Sequence, residues 1–173
     1  KINKAIFFDR DGTLIKTNIS KFNTPLAVKT KKEIKIYKSV KPILNKLKKK
    51  YLIFVITNQP DVARKKNTKK NVDEINKYLM KKLPIKKTYT CYCSKNICKY
   101  KKPKPGMIFK ASKIYNIDLK KSYVVGDRWK DINAGSAAKC KTIFINKNYS
   151  EKIRKKPLYV LGNFEEITKI IKF

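Results

Sequence analysis

The stretch Ile6-Phe7-Phe8-Asp9-Arg10-Asp11-Gly12-Thr13-Leu14 joins a short apolar run to two aspartates. The run Ala5–Phe8 is uninterrupted and rich in residues that favour strands, which predicts a strand buried on both faces of a parallel sheet. Asp9 then lies at the carboxyl end of that strand, where open α/β sheets bind ligands, and Gly12 permits the bend that follows. Paired carboxylates can bind a hard cation, attack phosphorus and carry protons. An ordinary turn uses the same residues, so this stretch alone leaves both interpretations open.

Length and hydropathy predict one domain that spans residues 1–173. With 42% hydrophobic residues, the chain is long enough to bury a core. It contains no apolar run of about eighteen residues, so we expect no membrane span. The first strand follows Lys-Ile-Asn-Lys directly, which leaves no room for a signal peptide and predicts a cytoplasmic protein. We expect a monomer.

The chain is strongly basic, with 45 Lys and Arg against 12 Asp and Glu and a net charge of +33. Almost all of the basic residues are lysines, and they lie along the whole sequence. This distribution is typical of solvated helix faces in a protein from an AT-rich genome, and we favour it over a dedicated nucleic-acid patch. The field should still attract phosphorylated substrates and cause salt-sensitive, nonspecific binding to nucleic acid.

Apolar runs alternate with segments of helical periodicity along the chain. We predict further strands at 51–57, 123–126, 142–145 and 160–164, and helices at 40–50, 67–83, 132–138 and 165–171. A helix after Met107 should bury Ile108, Phe109, Ile114 and Tyr115, the 67–83 helix should bury Val72, Ile75, Leu79 and Met80, and 15–32 should be a loop. This order predicts right-handed βαβ units and a parallel sheet with helices on both faces.

Polar side chains follow the second and third predicted strands. Thr57, Asn58 and Gln59 end the second strand, where a hydroxyl and side-chain amides can bind phosphate oxygens, although such residues also start ordinary turns. Asp127 ends the third strand and should reach the same sheet edge as Asp9. We therefore expect several carboxylates to converge at that edge.

Two lysines precede a proline-rich turn in Lys101-Lys102-Pro103-Lys104-Pro105-Gly106-Met107. Proline before a helix fixes the entry of the chain, so a lysine held there can neutralise a phosphate or an aspartate. In a chain this rich in lysine, only the two prolines separate this motif from a solvated surface.

Three cysteines, Cys91, Cys93 and Cys98, crowd into a predicted loop at about 88–102. In a reducing compartment such crowding favours zinc over disulfides, but only three ligands are evident and the chain has no histidine. A loop of free thiols is the competing interpretation. Cys140 follows a helix far along the chain and is predicted to be a core thiol.

With these motifs in view, the chain resembles the haloacid dehalogenase-like phosphohydrolases from Ile6 to about Ile145. The four motifs of that family are matched in order by Asp9 with Asp11, by Thr57, by Lys102, and by Asp127 with Asp131. The subgroup it resembles contains D-glycero-D-manno-heptose 1,7-bisphosphate phosphatase and histidinol-phosphate phosphatase. The resemblance implies a Rossmann-like three-layer α/β sandwich with a parallel central sheet. The gaps between motifs are too short for a separate cap domain.

The resemblance also implies the chemistry of each motif. Asp9 would attack phosphorus, and Asp11 would protonate the leaving oxygen and then activate water. Mg²⁺ would be held by Asp9, the Asp11 carbonyl and Asp127, while Asp131 would orient Lys102 or the metal's waters. Thr57 and Lys102 would hold the phosphoryl oxygens. The expected substrate contacts are Asn58, Gln59, Arg64, Lys101 and Arg128.

Three positions depart from the subgroup's pattern. In its zinc loop, Cys93 stands where histidine is expected and Tyr100 occupies the fourth ligand position. A site of three thiolates completed by water is chemically allowed, so zinc stays an expectation beside Mg²⁺. Lys101 replaces an arginine that contacts substrate in the heptose enzymes, and an ammonium cannot make the forked contact of a guanidinium.

The expected activity is hydrolysis of a phosphate monoester on a small phosphorylated metabolite, with a heptose bisphosphate the leading candidate. Histidinol phosphate is an alternative substrate within the subgroup. A polynucleotide 3′-phosphatase would share the first two motifs and would suit the charge. A catalytically silent binding module is a further alternative, although every charged catalytic position is retained.

Overall fold

The computed structural model describes all 173 residues. Its strands are β1 (Ala5–Phe8), β2 (Asn18–Ile19), β3 (Pro25–Leu26), β4 (Leu52–Asn58), β5 (Lys87–Cys91), β6 (Tyr123–Gly126), β7 (Lys141–Ile145) and β8 (Tyr159–Leu161). Its helices are α1 (Val40–Leu47), α2 (Lys69–Lys82), α3 (Gly106–Tyr115), α4 (Trp129–Ala137) and α5 (Ile167–Ile170). Short 3-10 turns lie at Lys31–Glu33, Leu119–Lys121 and Phe164–Glu166.

Six strands form one sheet in the order β5-β4-β1-β6-β7-β8, and every neighbouring pair is parallel. The first apolar run lies at the centre, where Phe8 pairs with Val55 of β4 on one side and Val125 of β6 on the other. The predicted parallel sheet is confirmed. Because parallel strands end at one edge, the residues that follow β1, β4 and β6 are brought together there.

Two separate apolar clusters cover the two faces of the sheet, since successive strand side chains point to opposite faces. Ile6 and Phe8 pack with residues of α1, α2 and α5, whereas Ala5 and Phe7 pack with α3 and α4. The fold is therefore the predicted three-layer α/β sandwich. Cys140 lies buried in the second cluster, as predicted for a core thiol.

Two predicted helix faces needed correction. In α2, Val72, Ile75 and Leu79 are buried as predicted, but Met80 is 38% exposed because the fourth buried position is taken by Asn76. Helix α3 packs through Met107, Ile108 and Ala111, and the prediction that its Phe109 and Ile114 are buried is wrong, since both lie off this face and are exposed.

Three predicted segments also differ in the structure. The cysteine-rich segment is not a loop throughout, because β5 pairs with β4 and ends at the buried Cys91. The residues of β5 alternate in burial, which is typical of an edge strand. A strand this short does not stand out in the sequence. The predicted 15–32 loop contains the antiparallel hairpin β2–β3, and Phe164 begins a 3-10 turn rather than ending a strand.

None of the helices combines the length and the hydropathy that crossing a membrane requires.

Helix α4 can approach the sheet closely because Gly135 has no side chain. A Cβ added at Gly135 would lie 2.8 Å from Val124 Cβ and 2.9 Å from Thr142 Cγ2. We expect Gly135→Val to destabilise the protein by about 1–3 kcal/mol, since overpacking outweighs the gain in helix propensity. Ser136→Val, at the adjacent exposed position, is the matched control. Thermal unfolding should show a lower Tm for the first variant only, and equal Tm values would contradict this packing constraint.

Candidate active site

A cavity of about 340 Å³ opens at the carboxyl ends of β1, β4 and β6. Most of its lining is polar. The residues from the predicted motifs that line it are Asp9, Asp11, Thr57, Asn58, Gln59, Arg64, Lys101, Lys102, Arg128 and Asp131. The structure thus brings the predicted catalytic and substrate-contacting residues together around one space, although Asp127 is not among the residues that line it.

The buried ammonium of Lys102 connects the motifs. Lys102 Nζ donates to Asp9 Oδ1 at 2.6 Å, to Asp131 Oδ1 at 2.7 Å and to the Ile56 carbonyl at 2.8 Å. Burial lowers the pKa of Lys102, but the charges of Asp131 and Asp9 outweigh it and leave this pKa raised. Lys102 therefore remains a cation where β1, β4 and α4 meet.

Three buried carboxylates cluster here, and two of them, Asp9 and Asp131, bind the Lys102 ammonium. Ligand oxygens of Asp9, Asp127 and Asp131 lie within 4.8 Å of one another. Burial, followed by the charge of Asp131, raises the pKa of Asp9 to about 6, and burial followed by the charge of Asp9 raises that of Asp127. Oxygen ligands and uncompensated negative charge both fit a hard divalent cation such as Mg²⁺.

Asp127 is fixed by groups that the sequence did not reveal. Tyr149 donates its hydroxyl to Asp127 Oδ2 at 2.7 Å, and Thr13 Oγ1 lies 3.4 Å from Asp127 Oδ1. Gly12, at φ 87°, leaves the space for this carboxylate, because a Cβ there would lie 2.0 Å from Asp127 Oδ2. Tyr149 lies in an irregular segment, so no periodicity or motif could have marked it.

Asp11 is held on several sides. Its Oδ2 accepts hydrogen bonds from Gln59 Nε2 at 2.9 Å and from Arg10 Nε at 3.1 Å, while the Val28 amide donates to its Oδ1 at 3.0 Å. Gln59 Nε2 also donates to Thr57 Oγ1 at 2.9 Å. Gln59, predicted to contact substrate, therefore links the first and second motifs.

Some predicted substrate contacts are occupied by protein groups. Both ends of the Asn58 amide bind the Lys102 backbone, at 2.9 and 3.0 Å. Lys101 Nζ donates to the Ser94 carbonyl at 2.6 Å and to Asn96 Oδ1 at 3.0 Å. These two side chains consequently position the lysine motif and the cysteine-rich loop.

The basic side chains at the rim of the cavity differ in how far other protein groups restrain them. Arg128 Nη2 donates to Glu151 Oε2 at 2.7 Å, and Arg128 Nε also donates to this carboxylate. Arg64 is half-exposed and lies 3.5 Å from Asp61 Oδ1. Lys130, not predicted from the sequence, also lines the cavity, and its pKa is lowered by burial and by the charge of Arg128.

The three predicted zinc ligands converge in the structure. Cys93 Sγ lies 2.8 Å and Cys91 Sγ 3.7 Å from Cys98 Sγ. Burial raises the pKa of the Cys91 thiol to about 12, whereas the hydrogen bond from Cys93 lowers that of Cys98. The groups present fit a trithiolate site, and no His, Asp or Glu completes it as a fourth ligand.

Comparison with known proteins identifies a matching family model and several similar phosphatases. A family model described as polynucleotide kinase 3 phosphatase matches residues 4–156. D-glycero-beta-D-manno-heptose-1,7-bisphosphate 7-phosphatase of Helicobacter pylori is 33% identical, over 80% of this chain and 81% of the relative. The enzyme of the same name from Pasteurella multocida is 32% identical, over 99% of this chain and 98% of the relative.

Solved structures share the fold. D,D-heptose 1,7-bisphosphate phosphatase from B. bronchiseptica, complexed with magnesium and phosphate, has a TM-score of 0.78 and 20% identity over 96% of this chain and 97% of its own. A had-like phosphatase from Mesorhizobium loti has a TM-score of 0.75 and 20% identity, over 98% and 84% of the two chains. Motifs, family match and fold agree: the chain is a phosphatase that belongs to the haloacid dehalogenase-like family.

Proposed function

We propose that this protein hydrolyses phosphate monoesters through a phosphorylated Asp9, with Mg²⁺ as cofactor. The observation that carries the proposal is the buried contact of Lys102 Nζ with both Asp9 and Asp131, next to Asp127. Asp9 lines a cavity that also contains hydrogen-bond donors. A carboxylate so placed is suited to in-line attack on a bound phosphate.

The reaction then proceeds in two displacements. An oxygen of Asp9 forms a bond to phosphorus while the bond from phosphorus to the ester oxygen breaks, and Asp11 gives its proton to the departing alcohol. Asp11 next takes a proton from water, whose oxygen bonds to phosphorus as the bond from phosphorus to Asp9 breaks. The products are alcohol and inorganic phosphate, and both carboxyl groups return to their starting states.

The remaining residues of the site stabilise charge. In this proposal Thr57 and Lys102 would donate to the phosphoryl oxygens. Asp9, Asp127 and the Asp11 carbonyl would hold Mg²⁺, with Asp131 orienting Lys102. A bound Mg²⁺ supplies neutralisation of the negative charges that the nucleophile and the phosphate bring together.

For the substrate, we propose a sugar phosphate that carries a second anionic group, with a heptose bisphosphate as the leading candidate. The names of the Helicobacter and Pasteurella relatives support this class. So does the basic rim, where Arg64, Lys101, Arg128 and Lys130 surround an open cavity. Pro25 and Leu26 of the β2–β3 hairpin line this cavity. We propose that the chain is one domain without a cap and that loops select the substrate.

A polynucleotide with a 3′-phosphate is the second candidate. The description of the matching family and the net charge of +33 favour it, whereas the lysines that produce this charge are dispersed. Turnover of a 3′-phosphorylated oligonucleotide without turnover of any sugar phosphate would select it over the heptose assignment.

For the cysteine cluster we propose structural zinc bound by Cys91, Cys93 and Cys98, with water as fourth ligand. Metal analysis of the purified protein tests this.

Replacing the nucleophile should abolish turnover. Asp9→Asn keeps the size of the side chain but removes the anionic oxygen that attacks phosphorus, so we expect activity on 4-nitrophenyl phosphate to fall by at least about 10³-fold. The fold should survive, as circular dichroism can verify. Retained turnover by a folded variant would exclude the covalent route.

Binding of Mg²⁺ should be visible without activity. Because Asp127 adds a third buried carboxylate to a site with one ammonium, we expect Asp127→Asn to raise the Tm of the metal-free protein. Adding Mg²⁺ should raise the Tm of the wild type but not of this variant. An Mg²⁺-dependent rise of equal size in both proteins would argue against Asp127 as a ligand.

The basic residues at the rim of the cavity should bind the second anionic group of the substrate. We expect Arg64→Ala to raise KM for a sugar bisphosphate more than for the monophosphate, by up to about fivefold for an exposed contact of ~0.2–1 kcal/mol, and less at high salt. Lys66→Ala, an exposed cation nearby that does not line the cavity, controls for net charge. Lys101→Ala is a less selective probe because its ammonium also holds the cysteine-rich loop. The same KM ratio in the Arg64 and Lys66 variants would refute a role for Arg64 in substrate choice.

A further inference from the structure

Arg10 lies between the two catalytic aspartates in sequence, yet no solvent reaches it. It is 0% exposed, although arginine is rarely buried unless it is paired. Arg10 does not line the cavity. Instead, Arg10 Nε donates to Asp11 Oδ2 at 3.1 Å and Nη2 lies 3.4 Å from Asp11 Oδ1. The two prongs of the fork thus contact both oxygens of the Asp11 carboxylate.

The other side of this guanidinium is bound by helix α2, whose binding residue also contacts the edge strand β5. Arg10 Nη1 donates to Asn76 Oδ1 at 2.9 Å, and Asn76 Nδ2 donates to Thr90 Oγ1 at 3.1 Å. Asn76 is buried at a position of α2 that otherwise belongs to the apolar face, and Thr90 lies in β5. A buried amide in this stripe needs partners, and it finds them only in Arg10 and Thr90 among the hydrogen bonds of the structure.

A guanidinium is rigid and planar, so fixing Nη1 at one end fixes the direction of Nε and Nη2 at the other. Asn76 therefore helps to fix the plane of Arg10, and Arg10 helps to fix the plane of the Asp11 carboxylate. Gln59 and the Val28 amide contact Asp11 from other sides, but each donates to one oxygen only. The Arg10 fork is the one side chain that contacts both oxygens, so it restrains rotation of the carboxylate together with these two donors.

We propose that Arg10 and Asn76 are positioning residues for Asp11, through which helix α2 and strand β5 orient the group that activates water. The inference rests on the proposed function, in which Asp11 takes a proton from the attacking water. It assigns a role in turnover to Asn76, which lies outside every motif and does not line the cavity.

The experiment uses a substrate that separates the two displacements. With 4-nitrophenyl phosphate the departing nitrophenolate needs no proton, so phosphorylation of Asp9 does not depend on Asp11, whereas hydrolysis of the phosphorylated enzyme does. Asn76→Leu removes the acceptor for Arg10 Nη1 at similar side-chain volume. We expect hydrolysis to slow by about 10- to 100-fold while the first displacement changes little, so nitrophenolate release becomes a stoichiometric burst followed by a slow steady rate.

Two further variants separate positioning from a general defect. Asn76→Asp keeps an oxygen acceptor for Arg10 and should restore the steady rate to within about threefold of wild type. Arg10→Met removes the guanidinium itself and should reproduce the burst, which keeps the test available if Asn76→Leu does not fold. A uniform loss of rate without a burst in the folded variants would overturn the inference, as would a steady rate equal to that of wild type.

A crystal structure of Asn76→Leu gives a readout independent of turnover. We expect the contact of Arg10 Nε with Asp11 Oδ2 to be lost and the Asp11 carboxylate to rotate. An unchanged Asp11 would overturn the inference whatever the kinetics show. Absence of turnover in wild-type protein with Mg²⁺ would instead contradict the proposed function, and the position of Asp11 would still decide the inference.

Discussion

The buried ion pairs of Lys102 with Asp9 and Asp131 are the constraint on which the site depends. They join the end of β1, the loop before α3 and the first turn of α4 within 2.7 Å contacts. Removing one partner of such a pair leaves an uncompensated buried charge, which costs about 3–5 kcal/mol. The site is therefore assembled by the same interactions that its chemistry uses, and the sheet behind it must deliver the charged groups to one edge.

The parallel sheet meets this requirement because its three central strands end together. The two apolar clusters fix the strands, and the side chains just beyond them need only short turns to converge. Around this centre lies a set of polar contacts that reaches into elements far along the chain. Tyr149 holds Asp127, Asn58 holds the Lys102 backbone, and Arg10 with Asn76 holds Asp11. The orientation of Asp127 and Asp11 thus depends on Tyr149, Arg10 and Asn76, none of which lines the cavity.

The net positive charge of the chain and the charged groups of the site come from different residues. The net charge of +33 comes mostly from exposed lysines, whereas the site concentrates three of the few acidic residues around one buried ammonium. Local desolvation explains why the pKa values of Asp9 and Asp127 are raised even in so basic a chain, since screened surface lysines contribute little at a buried carboxylate. The surface field can attract an anionic substrate, and the rim arginines and lysines are placed to meet it.

The amino-acid sequence by itself determined the sandwich and the positions of Asp9, Asp11, Thr57 and Asp127, because buried strands have continuous apolar runs and these residues follow them closely. Lys102 was marked instead by the prolines beside it. It missed β5, since an edge strand alternates and is short, and it misjudged Phe109, Ile114 and Met80, since periodicity does not say how wide a buried face is. Only the tertiary structure decided which polar groups hold the carboxylates. Tyr149, Glu151 and Asn76 reach their partners across 22, 23 and 66 residues of chain, and such contacts leave no local pattern because they form when separate elements pack together.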